Sequence, residues 1–66
     1  MLIGVTCDGN RQTIENDTPL TVAEVLQRVG IAASTVLAVV NDVIIPHTAT
    51  IDDDVEIELI IVSSGG

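Results

Sequence analysis

Apolar and polar positions along this chain fall into short blocks separated by turn residues. Residues 2–7, Leu-Ile-Gly-Val-Thr-Cys, form a β-rich run closed by Asp8-Gly9-Asn10. A glycine between Asp and Asn supplies the positive φ of a tight hairpin turn. Residues 11–15 alternate weakly, as a short edge strand does, until Asn16-Asp17-Thr18-Pro19 ends them, because proline removes a ladder donor. Thr21-Val22-Ala23-Glu24 fits a capping box, flanked by Leu20 and Val25 at the two positions of a hydrophobic staple. Val22, Val25, Leu26 and Val29 recur at i, i+3, i+4 and i+7, one apolar stripe of a helix. Glu24 and Arg28 stand at i and i+4, and Gly30 occupies the place of a left-handed residue that stops the helix.

Residues 31–35 are a connection of small side chains with room for a 3₁₀ turn, and residues 36–40 an unbroken apolar run suited to an interior strand. Asn41-Asp42 reads as a turn, residues 43–45 as a short strand stopped by Pro46, and residues 47–51 as loop. After a second turn at Asp52-Asp53-Asp54, residues 55–62 read as the last strand. There Val55, Ile57 and Leu59 alternate with Glu56 and Glu58, one face dry and one wet. From Ile60 the alternation fails, since Ile60 and Val62 take the face of the glutamates. An apolar pair on a wet face marks a docking patch, a face covered by a loop, or a strand whose pleat breaks at a bulge. The remaining Ser63-Ser64-Gly65-Gly66 has no apolar anchor and is expected to be a flexible tail, so the chain divides into a domain of residues 1–62 and a tail of residues 63–66. The order strand, strand, helix, strand, strand, strand predicts a two-layer α+β fold, with the helix laid across one face of the sheet. If the last strand pairs between the first and third, that sheet is mixed.

Composition narrows the functional classes. The 66 residues carry 10 acidic and 2 basic side chains, a formal charge of −8, with 47% apolar residues and no Phe, Tyr or Trp. An apolar fraction near one half argues for a folded chain, while the acidic balance argues against nucleic acid and anionic membrane, which both need a basic footprint. It fits either a basic surface on a partner or an adaptation to high salt. No apolar run approaches the ~20 residues of a membrane span, and no positive n-region opens the chain, so a cytoplasmic protein is expected. A chain of this size has no room for both a core and a deep substrate pocket, so it is expected not to be an enzyme. Cys7, the one cysteine, is expected to be a small buried hydrophobe. His47 has no second imidazole or thiol with which to share a metal, and Asp52-Asp53-Asp54 lacks the spacing of a calcium loop, so no metal is expected.

Taken in order, Pro19-Leu20-Thr21-Val22-Ala23-Glu24-Val25-Leu26, Gly30-Ile31, Val39-Val40-Asn41 with Pro46, Asp52-Asp53-Asp54-Val55-Glu56-Ile57 and the final Gly65-Gly66 resemble the ubiquitin-like ThiS/MoaD family of sulfur carriers, its thiamin-type branch most of all. The resemblance spans essentially the whole chain. It implies a β-grasp fold, a mixed sheet of four to five strands packed on one helix. It also implies a functional carboxylate at Gly66, adenylated by an ATP-dependent activating enzyme of the ubiquitin-activating type and converted to a thiocarboxylate. Gly65 would then help thread the tail into a narrow channel, and Ile60 and Val62 would flank its root as a docking patch. The sulfur would go to a synthase, either a thiazole synthase or the large subunit of molybdopterin synthase. Protein modification through an isopeptide bond, the small-subunit role in molybdopterin synthase and a plain β-grasp interaction domain are the alternatives. Three positions depart from the family pattern: Asn41-Asp42 stands for Asn-Gly, Asp53 for a glycine between two aspartates, and His47 for an arginine after the proline.

Overall fold

Leu2–Cys7 (β1) and Asn10–Glu15 (β2) form an antiparallel hairpin in the computed structural model, which describes residues 1–62. The expected tail, residues 63–66, lies outside the described residues. Cys7 faces Asn10 across the turn, and Asp8 and Gly9 take φ values of 51° and 80°. Positive φ at both central residues gives the turn a twist matching that of its strands.

Leu20–Thr21 (β3) leads directly into the helix Val22–Val29 (α1). The capping box forms as expected: the Glu24 backbone N–H donates to Thr21 Oγ1 at 3.2 Å, and the Thr21 N–H donates to Glu24 Oε1 at 3.0 Å. At the other end Gly30 is left-handed at φ 78°, and the Ile31 N–H reaches back to the Leu26 carbonyl at 3.0 Å. One correction concerns residues 47–51. Thr50–Ile51 is a strand (β6), pairing antiparallel with β3 through Leu20↔Ile51 and Thr21↔Thr50. The physical reason lies in the helix start, whose first amides lack intrahelical acceptors. The Ala49 carbonyl accepts from Val22 and the His47 carbonyl from Ala23, each at 3.0 Å, which pulls this segment alongside β3.

A 3₁₀ turn at Ala33–Thr35 precedes Val36–Val40 (β4), Val43–Ile45 (β5) and the last long strand Val55–Ile61 (β7). The order of the main sheet is β2-β1-β7-β4-β5, with β7 parallel to β1 and antiparallel to β4. This is the central last strand of a β-grasp fold, on the mixed sheet the element order anticipates. Ile3 and Val5 of β1, Val36 and Ala38 of β4, and Ile57 and Leu59 of β7 are buried on one face. Against them pack Val22, Val25 and Leu26 of α1, with Leu20 and Ile51 closing one end of the core. Fully burying an aliphatic side chain of this kind contributes ~1.5–3 kcal/mol. No helix among the described residues is long and apolar enough to cross a membrane.

Candidate functional site

The face of the sheet turned away from α1 is where register and burial diverge from an ordinary wet surface. On β7, Glu56 and Glu58 point to this side and are exposed, while Ile57 and Leu59 point to the core. Ile60 continues the glutamate row, opposite Leu37 of β4, and is 45% exposed. Along β4 the same side holds Val39, which faces Ile44 of β5. Ile44 is 61% exposed. Leu37, Val39, Ile44 and Ile60 thus share an apolar corner near the end of β7, in which Val39 is buried and Leu37 half-buried, bordered by Glu58. Glu58 makes no ion pair among the described residues.

Of the two residues expected on a docking patch, Ile60 lies in this corner. Val62 is exposed but sits one residue beyond β7, so register assigns it no face. Its backbone does have a partner, for the Val62 N–H donates to the Thr35 carbonyl at 2.8 Å. The 3₁₀ turn thereby holds the last described residue. Leu37, Val39 and Ile44 escape sequence reading because an unbroken apolar run does not declare which members face the helix. Only pairing with β7 and β5 decides it. Ile61 is 56% exposed on the helix side, opposite buried Val36.

The other end of the outer face is polar. Arg11 of β2 reaches across Gly4 to Glu56 of β7 with an N–O distance of 2.5 Å, both side chains more than half exposed. A Cβ at Gly4 would meet the Glu56 carboxylate and the Arg11 guanidinium, so the glycine leaves this pair room to close over β1. Beside this pair runs an open groove of about 610 Å³ whose wall includes Leu2, Thr13 and Asp54. It contains no thiol, imidazole or lysine, and among the described residues no cluster of His, Cys, Asp or Glu could hold a metal ion. Asp52, Asp53 and Asp54 are exposed, and Asp54 Oδ1 accepts from the Leu2 N–H at 2.7 Å, a structural tie between chain start and β7. His47 is half-buried with Nε2 3.1 Å from the Val36 carbonyl. Cys7 is half-buried against the core. Gly65 and Gly66 lie outside the described residues.

Comparison with known proteins agrees with this architecture. The crystal structure of the thiamine biosynthesis protein ThiS from Geobacter metallireducens is similar with a TM-score of 0.63 at 24% identity, covering 96% of this chain and 99% of that one. The solution structure of a thiamine biosynthesis protein from the same organism gives 0.58 at 24% identity, over 96% and 87% of the two chains. At that identity the likeness establishes the shared fold. No curated protein matches the chain. A family model described as the ThiS family matches residues 5–66, from the middle of β1 through the terminal glycines. With a β-grasp body and a family match across nearly all its residues, the chain belongs to the ThiS family of small sulfur carriers.

Proposed function

We propose that the chain carries sulfur for thiamin thiazole biosynthesis as a thiocarboxylate at Gly66, and that it is a substrate of other enzymes. The observation that carries this reading is a family match that runs through Gly65 and Gly66. A carboxylate is a poor electrophile. The partner's reaction is an attack of a Gly66 carboxylate oxygen on the α-phosphorus of ATP, which forms an acyl-adenylate and releases pyrophosphate. A sulfur nucleophile on the donor then attacks the acyl carbon and AMP departs. When the donor sulfur is a persulfide, a thiol then attacks the donor-side sulfur of the resulting acyl disulfide, the S–S bond breaks with its electron pair on the acyl sulfur, and a thiocarboxylate and a mixed disulfide remain. Four residues, 63–66, span roughly 13 Å when extended, enough to enter an active site that the body cannot.

Ile44 and Ile60, with half-buried Leu37 between the strands, are the surface we assign to docking, at the end of β7. Glu58 and the net charge of −8 suit a partner surface with an apolar centre and a basic rim. Replacing Gly65 by Val, or adding one residue after Gly66, is expected to abolish ATP–pyrophosphate exchange by the cognate activating enzyme while leaving the melting temperature unchanged. Only glycine lets backbone pass so close to channel walls. Exchange at the unmodified rate by either variant contradicts a threaded tail.

A further inference from the structure

Two glutamates lie on the outer face of β7, and the fold treats them differently. Arg11, Thr6, Glu58 and Val39 follow one another across β2, β1, β7 and β4, so register places Arg11 in the row of Glu58. Its guanidinium nevertheless turns to Glu56, crossing β1 where Gly4 has no side chain, while Thr6 stands between it and Glu58. Arg28, the other of the two basic side chains, is exposed on α1, on the opposite side of the sheet. Glu58 is left with Thr6 and Val39 as cross-strand neighbours, although an opposite charge there would be favourable.

Beside Glu58 an open groove of about 310 Å³ runs between the β1–β2 turn at Asp8 and the end of β7, with Thr6 and Ile60 in its wall. Glu58 lies two residues from Ile60 on the same face of β7, and both side chains are exposed. A partner docked over Ile60 strips water from Glu58, and a carboxylate desolvated without a cation is costly. A wholly apolar partner surface is therefore rejected, and one that brings a cation to Glu58 is selected. A lysine or arginine suits the groove in both its parts, the methylene stem packing on Ile60 and the head donating to the carboxylate. We infer that Glu58 is a specificity determinant of docking, which admits partners presenting a basic side chain to this groove. The inference rests on the carrier reading above and sharpens it, for selection then lies in the charge at Glu58 and not in the net charge of −8.

The test compares three full-length chains, unmodified, Glu58→Gln and Glu15→Gln, in ATP–pyrophosphate exchange by the cognate activating enzyme, each confirmed folded by circular dichroism. Glu15 is exposed on β2, opposite Leu2 and outside the groove, so its replacement removes the same unit of charge elsewhere. Glu58→Gln is expected to raise KM for the carrier about tenfold at low ionic strength, the size of one hydrogen bond to a charged group, with kcat unchanged. The difference is expected to shrink at roughly 0.5 M salt, where exposed charges are screened. Glu15→Gln is expected to leave both constants unchanged. Equal KM for the unmodified and Glu58→Gln chains overturns the inference, as does a fall in kcat alone. An equal rise of KM in both variants also overturns it, by assigning the effect to net charge. An unmodified chain that supports no exchange overturns the carrier reading and this inference with it.

Discussion

Asn41 and Asp42 both sit at positive φ, 52° and 65°, between Val40 and Val43 of the β4–β5 hairpin. The corresponding turn between β1 and β2 places a glycine, Gly9, in its second left-handed position, whereas here Asp42 carries a Cβ through the same conformation. Asp42→Gly is therefore expected to stabilise the domain by ~0.5–1 kcal/mol, read as a higher urea midpoint. A lower midpoint contradicts this account of the turn. The location of both turns is legible in the sequence because Asn, Asp and Gly are the residues that tolerate such φ values. Cys7 and His47 are legible only in part. The expectation of a buried Cys7 meets a half-buried thiol at the end of β1, and the contact of His47 with Val36 depends on a loop path that no local pattern specifies.

The helix is the element the residues specify most completely, because cap, stripe and stop are each a local interaction. Leu26, 1% exposed at its centre, is expected to cost ~2–5 kcal/mol on replacement by Ala, a large share of a small domain's stability, measured by chemical denaturation. A loss well under 1 kcal/mol would place Leu26 outside the core. Glu24 titrates below its ordinary value, first because the Thr21 backbone N–H bonds its carboxylate, then through the Thr21 hydroxyl. The unfolded chain thus binds this proton at higher pH than the folded one. The contribution is whole above the ordinary carboxylate value and is lost as pH falls through the lowered one. Glu24→Gln, which keeps an acceptor for the cap but does not titrate, is expected to flatten the acid limb of stability against pH. Parallel acid limbs for the two proteins contradict that origin. By contrast β6 was illegible, since two residues have no period. Its pairing arises from amides of α1 that need the carbonyls of His47 and Ala49.

At the scale of the whole molecule, the helix after the first hairpin and the long last strand restrict the sheet to an order with β7 at its centre, so the fold is legible once the elements are. The outer face is not, because its apolar corner joins residues from β4, β5 and β7 that only long-range register brings together. That corner lies at the end of β7, where the Val62 N–H bonds the Thr35 carbonyl. The most direct test is the intact mass of the protein purified from its own cells under non-reducing, thiol-free conditions, with fragmentation to place any change. Replacement of one oxygen by sulfur at Gly66 in a fraction of molecules is the expected result. A population whose Gly66 carries only oxygen while thiamin synthesis is running, or whose Gly66 is found in amide linkage to lysines of other proteins, contradicts a sulfur carrier.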